Sequence, residues 1–179
     1  MNQIYIQFHR SNNTDFIMGC FENQLCLMDF SYRKMRAAVD RRLQQGLQAE
    51  FIEQDNALLQ ATRQQVDEYF AADRRQFDLP LLMVGSDFQK SVWAALRQLP
   101  YGSTCSYSEL ALQIGRDSAV RAVATANAAN ALMMIIPCHR VIAANGGLGG
   151  YAGGLPLKKR LLALEQKDQC VETALAQVG

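Results

Sequence analysis

The chain has 179 residues, 49% of them apolar, with 18 Lys and Arg against 17 Asp and Glu. That content suits one large or two small packed domains, and no apolar run approaches the ~20 residues needed to span a bilayer. A near-neutral total excludes a uniformly basic coat, but residues 1–85 carry nine cations against eleven anions and residues 86–179 carry nine against six. Either a polyanion docks on the second part alone, or the two surfaces are simply solvated unequally.

The start, "MNQIYIQFHR", lacks the features of a secretion signal, and five cysteines without a C-x-x-C pair are expected to be reduced thiols. The expected address is the cytoplasm, with no membrane contact.

In chain order, "IYIQF" alternates as a strand, and "FIMGCF" and "LCLMDF" flank "ENQ" as an antiparallel hairpin. Residues 33–47 and 56–72 have helical spacing, the second with a stripe of Leu58, Leu59, Thr62, Val66, Tyr69 and Phe70. "FDLPLLMVG" is an extended segment ending at Gly85. His9, Cys20 and Cys26 do not have zinc spacing, so no metal is expected. Nothing in this part assembles chemistry by sequence.

After Gly85 the pattern becomes short helices. Ser86 with Gln89, and Ser106 with Glu109, fit the S-x-x-E/Q capping box, so helices are expected to begin near 87 and 107. The second ends at Gly115, and Asp117 or Ser118 is placed to cap "AVRAVATANAAN". Two helices around a tight Gly-containing turn have the grammar of a helix-turn-helix. The Ala-rich second helix is either a packed core element or a slim rod that approaches a partner closely, with Arg121 as its only cation.

"MMIIPCHRVIAA" is apolar except at Pro137, Cys138, His139 and Arg140. A thiol in such surroundings has a raised pKa unless a base takes its proton, and His139 is the adjacent candidate. On a regular strand the two side chains would point apart. Contact therefore needs a turn, which Pro137 favours, or a bridging water. Glu165 is the best carboxylate to hold the other ring nitrogen; it is expected near the end of a helix that Pro156 opens and that buries Leu157, Leu161 and Leu164. By residues alone, Cys138 is either an inert core thiol or a nucleophile. The glycines of "GGLGGYAGG" are either a plain turn or backbone that approaches a ligand.

"IPCHRVI", "GYAGG" and "LLALE", joined by "FQKSVWAAL", "SYSELA" and "AVRAVATANAAN", together resemble the O6-alkylguanine-DNA alkyltransferases, the methylated-DNA-protein-cysteine methyltransferase family, over about residues 86–167. The resemblance implies an α/β RNase H-like domain over residues 1–85, followed by a mostly α, winged-helix-like (helix-turn-helix) domain over 86–179. It implies DNA repair by direct reversal: irreversible, stoichiometric transfer of an alkyl group from O6-alkylguanine, and from O4-alkylthymine, in DNA to Cys138. No cofactor is implied.

By motif position, Cys138 is the acceptor, His139 the base acting through a water, and Glu165 the group that orients His139. Asn130 braces the Cys138 segment, and Tyr107 opposes a phosphate and donates a proton toward the leaving guanine. Arg121 fills the space of an extruded base, with Ser108 and Arg116 as further DNA contacts. Tyr107, Val141, Tyr151, Ala152 and Gly153 form the substrate pocket, where carbonyls of Cys138 and Val141 and the backbone at Ala152 read the guanine edge. The implied partner is double-stranded DNA bound through the minor groove without sequence preference, by a monomer.

Ala131 and Ala152 stand where many relatives have proline, and serine or bulkier side chains, which leaves pocket width open. The four-cysteine zinc module of the adaptive-response regulator is absent from residues 1–85, which implies the stand-alone form. Alkyltransferase-like binding proteins lack the motif cysteine, so Cys138 argues against that reading; a Cys-His hydrolase would require activity on an ester or peptide.

Overall fold

The computed structural model describes residues 1–178. Strands β1 (Asn2–Ser11), β2 (Thr14–Phe21) and β3 (Gln24–Phe30) form two successive antiparallel hairpins. Both turns use two residues at positive φ, Asn12 and Asn13 at 47° and 59°, Glu22 and Asn23 at 46° and 60°, which gives the local twist that tight hairpins favour. Helix α1 (Arg36–Leu47) then carries the chain to β4 (Ala49–Glu53), which pairs parallel with β1. The sheet order is β3-β2-β1-β4.

The expected "ENQ" hairpin is present, whereas β4 carries no clear strand signature in the sequence. "AEFIE" is too short and polar to announce itself, and its pairing with β1 needs the chain to cross over from β3 through α1. α1 also starts at Arg36, three residues later than its spacing suggests. Helix α2 (Ala57–Phe70) is capped by the Asn56 side chain, which accepts from Leu59 N at 2.9 Å.

The outer edge of β3 is covered by two passing segments. Leu25 N donates to Pro80 O at 2.7 Å and Leu82 N to Leu25 O at 2.9 Å. Further along, Met28 N donates to Ala131 O at 2.8 Å and Met133 N to Met28 O at 2.7 Å. Each contact satisfies backbone groups that an open sheet edge would leave unpaired. The second one ties the approach to Cys138 directly to the sheet.

Helix α3 (Asp87–Leu96) and helix α4 (Tyr107–Gln113) both begin with the full capping boxes expected at Ser86/Gln89 and Ser106/Glu109. Helix α5 (Val120–Ala128) differs from expectation. Its N-cap is Ala119, with no side-chain cap, so neither Asp117 nor Ser118 fills that role. The chain between Gly115 and α5 is instead held by backbone bonds such as Ala119 N to Arg116 O, 2.8 Å. β5 (Cys105–Ser106) pairs parallel with β6 (Val141–Ile142).

The last helix, α6 (Leu155–Val178), has Pro156 in its first turn and buries Leu157 and Leu161. It runs well past the expected end, so Glu165 lies mid-helix rather than near a terminus. Residues of α2, α3, β2, β3, α5 and α6 share one apolar core, and a smaller cluster fills the other sheet face under α1. Among the described residues no helix is long and apolar enough to cross a membrane.

Candidate active site

The segment around Cys138 is a single turn of 3-10 helix, Cys138–Arg140, introduced by Pro137. This is the break that a strand reading could not provide: in a turn, adjacent side chains no longer alternate between two faces. Asn130 holds the approach to it. Its Nδ2 donates to Ile136 O at 2.9 Å and its Oδ1 accepts from Leu132 N at 2.9 Å. Backbone curvature here includes Met134 at φ 66°, a left-handed conformation that a buried methionine adopts only under such bracing.

Cys138 is buried at the floor of a cavity of about 660 Å³ that opens between the two parts of the chain. Tyr107 from α4, Ala128 from α5 and Ala152 and Gly153 from the glycine-rich loop form walls. Burial pushes the thiol pKa up, while the Asn130 side chain and the charges of Arg33 and Lys158 pull the other way. Its sulfur lies 3.4 Å from Met133 Sδ. Burial, with a further push from neighbouring Cys20, takes the Cys26 thiol up to about 12.

Behind the thiol, His139 and Glu165 are completely buried, with Nε2 of His139 2.8 Å from Oε1 of Glu165. His139 Nδ1 has no hydrogen-bond partner among the described residues. Burial lowers the imidazole pKa, and the bond and charge of Glu165 oppose that effect. For Glu165, burial works against ionisation, but hydrogen bonds and charge from His139 and Arg140 outweigh it and hold the carboxyl well below its usual range. Arg140 is bidentate, Nε to Oε2 and Nη2 to Oε1, both at 2.9 Å. A carboxylate so supplied stays charged even in a dry site. The arrangement can therefore fix an imidazole with one nitrogen held and the other free to accept a proton.

Helices α4 and α5 present their outer faces beside the cavity mouth. On α5, Arg121, Ala122, Thr125 and Ala128 are exposed while Val123, Ala126 and Asn127 are buried. Small residues thus occupy the outward face as well as the core face. The Trp93 indole donates to Ala126 O at 2.8 Å, and Arg42 donates to Ala129 O at 2.7 Å, so the helix is anchored along its inner side. Ser108 and Arg116 are exposed on the same two-helix unit.

The structure brings Cys138, Tyr107, Tyr151, Ala152 and Gly153 onto one cavity, with His139, Glu165 and Asn130 behind it. Val141 is buried outside the cavity lining, and its carbonyl accepts from the Lys158 ammonium at 2.6 Å. Lys158, a buried cation two turns before Glu165, was missed by sequence reasoning, as was Asn127, whose Nδ2 lies 3.5 Å from Cys138 O. A lysine within an otherwise apolar i, i+3, i+4 stripe was the available signal for the first. For Asn127 there was none.

The first part of the chain, which assembles no chemistry by sequence, supplies one wall: Tyr32, Arg33, Lys34 and Met35 line the cavity. Arg33, paired with buried Asp29 at 3.0 Å, donates to Asn130 O at 2.8 Å and also reaches Ala128 O. Gly153 shows what the glycine cluster requires here. A Cβ on it would stand 2.7 Å from the Phe30 ring and 2.9 Å from Leu157, so the close approach is made by the sheet. His9 bonds to Asp67 at 2.8 Å, and Cys20 and Cys26 are buried in β2 and β3; no group of three metal-ligating side chains forms among the described residues.

Residues 87–167 match the family described as 6-O-methylguanine DNA methyltransferase, DNA binding domain. A methylated-DNA–protein-cysteine methyltransferase of Methanosarcina acetivorans is 49% identical over 115 residues, 64% of this chain and 73% of that protein. The protein of the same name from Methanosarcina barkeri is 48% identical over 120 residues, 67% of this chain and 75% of that protein. The crystal structure of Mycobacterium tuberculosis OGT in complex with DNA superposes with a TM-score of 0.78 at 34% identity, covering 92% of this chain and 94% of that one. An O6-methylguanine-DNA methyltransferase from Pyrococcus kodakaraensis shares the fold, with a TM-score of 0.61 at 22% identity over 90% of this chain and 98% of that one.

Proposed function

This chain belongs to the methylated-DNA–protein-cysteine methyltransferase family, and we propose that it carries out the family's repair reaction through Cys138. It is a DNA-repair methyltransferase that moves an alkyl group from alkylated DNA to one of its own cysteines. The observation that carries the assignment to Cys138 is the placement of that thiol at a cavity floor, on the same turn as a buried imidazole bonded to Glu165 at 2.8 Å.

In this reading the Cys138 proton passes through a bridging water to Nδ1 of His139, and Glu165 steadies the imidazolium that forms. A sulfur lone pair forms the new C–S bond as the alkyl carbon separates from guanine O6, whose bonding pair remains on the base. Tyr107 supplies the proton that makes guanine a better leaving group. The product thioether has no easy hydrolysis, so each molecule acts once. O4-alkylthymine presents the same alkyl-oxygen bond and is the second substrate.

A base in a duplex cannot reach a buried thiol, so it must be turned out, at a cost of a few kcal/mol that is smallest for a damaged base. The slim outer face of α5 suits a minor-groove approach, with Arg121 entering the space left by the base and Ser108 and Arg116 meeting phosphates. Such contacts bind without sequence preference. Tyr151, Ala152 and Gly153 frame the pocket, with the Cys138 carbonyl and the backbone at Ala152 reading the guanine edge, while the Val141 carbonyl is taken by Lys158.

We read residues 1–85 as an RNase H-like domain, supported by the β3-β2-β1-β4 order with its parallel β1/β4 pair. Residues 86–179 read as a winged-helix-like domain, supported by α4, α5 and the short β5/β6 ladder. A monomer acting in the cytoplasm without metal or cofactor completes the proposal.

Mass spectrometry after incubation with O6-methylguanine duplex DNA tests it. One methyl group on the peptide containing Cys138 is the expected result; methylation of Cys105 or another cysteine instead, or no adduct, overturns it.

A further inference from the structure

Glu165 collects hydrogen bonds from both parts of the chain. Its Oε2 accepts from Arg140 Nε and from Gly102 N, and its Oε1 from His139 Nε2 and Arg140 Nη2. The remaining donor is the Tyr69 hydroxyl, 2.7 Å from Oε1 although 96 residues away in sequence. Tyr69 sits near the C-terminal end of α2, is fully buried, and is the one donor to Glu165 from residues 1–85 among the described residues. Burial first, and then the Glu165 charge, raise the phenol pKa well above its ordinary value, so the group donates at every working pH.

The same oxygen thus serves two neutral or positive N–H donors and one O–H donor. Each donor withdraws part of the negative charge that Oε1 can offer to the others. We infer that Tyr69 is a positioning residue for alkyl transfer, whose hydroxyl fixes Oε1 and tempers its pull on His139, so that the imidazole stays neutral and able to accept the thiol proton. The first part of the chain then contributes to the chemistry itself as well as to the cavity wall. This inference deepens the reading of Cys138 and His139 given above and rests on it.

Other groups face the pair without taking this role. Arg140 also lies over the Tyr101 ring at 5.6 Å, and Tyr101 meets Tyr69 edge-on at 6.3 Å between centroids. Tyr151 stands edge-on to His139 at 6.5 Å, and Lys158 is committed to the carbonyls of Val141 and Gly150. Cys138 lies on the same turn as His139, and Tyr69 is the only phenol bonded to the carboxylate among the described residues.

The test is an NMR titration of the His139 ring in the full chain, paired with single-turnover alkyl transfer across pH. In Tyr69→Phe the freed oxygen becomes more basic, and the His139 midpoint and the acid limb of the transfer profile are both expected to rise by about one pH unit, as for loss of one hydrogen bond to a charged group. Incorporation of 3-fluorotyrosine at position 69, a more acidic phenol, is expected to move both downward. An unchanged or lowered midpoint in folded Tyr69→Phe overturns the inference. If that variant does not fold, an unchanged or raised midpoint in the fluorotyrosine protein overturns it. Failure of the unsubstituted chain to alkylate Cys138 would overturn the acceptor assignment instead, and the His139 titration would still report on Tyr69.

Discussion

Glu165 Oε1 meets His139 Nε2 at 2.8 Å in a place where neither side chain has any contact with solvent, and Arg140 closes over the same carboxylate with two further bonds. A charge in this position is held by its donors alone. Its loss has consequences for stability and for chemistry that can be measured separately.

Glu165→Gln keeps the shape but presents an amide N–H₂ to donors that cannot all be reoriented. Breaking one partner of a buried pair costs about 3–5 kcal/mol, so urea unfolding of this variant should show a loss of that order. In the fraction that folds, thiol alkylation is expected to slow and the Cys138 pKa to rise. An unchanged pH-rate profile would remove Glu165 from proton transfer.

Stability should fall on acidification. His139 has a folded pKa below its ordinary 6.5, and Glu165 a folded pKa below its ordinary 4.5. In both cases the unfolded chain binds protons first, so each contribution is complete above the unfolded pKa and is lost as pH falls toward the folded one. Thermal unfolding should show a declining midpoint from about pH 6.5 downward, with a second loss below about pH 4.5. His139→Gln should flatten the upper part of that curve, and a curve unaffected by it would contradict the burial of a neutral imidazole.

At Gly153 an added methyl group would strike the Phe30 ring at 2.7 Å. Gly153→Ala is expected to destabilise the protein by about 1–3 kcal/mol, the usual cost of overpacking, and to slow transfer because the cavity wall shifts. Adding Phe30→Leu should recover part of the stability, giving a non-additive double-mutant cycle. Simple additivity would show that the glycine is not there for the sheet.

Arg121 is exposed at the start of α5 and does not line the cavity that holds Cys138. Arg121→Ala should therefore reduce transfer from duplex DNA by about tenfold or more, equivalent to about 1.4 kcal/mol, while transfer from a free alkylated base changes little. Equal losses on both substrates would exclude a role in holding the base outside the duplex.

The chemistry-bearing turn was legible because it is local. Capping boxes at Ser86 and Ser106, the proline before Cys138 and the leucine stripe of α6 each act within a few residues, where sequence spacing and backbone geometry are directly linked. The resemblance carried by the linked motifs then raised Cys138, His139 and Glu165 above the many cysteines that only fill cores.

What sequence could not show was every contact made by closing the chain on itself. β4 exists because β1 offers it an edge, Tyr69 meets Glu165 because α2 and α6 bury side chains in one shared core, and Gly153 must lack a side chain because Phe30 arrives from β3. None of these pairs has a fixed spacing, since the geometry that joins them is set by packing of the shared core rather than by any repeat along the chain. The amino-acid order determined which turn would carry the thiol; only the tertiary structure decided which distant groups would surround it.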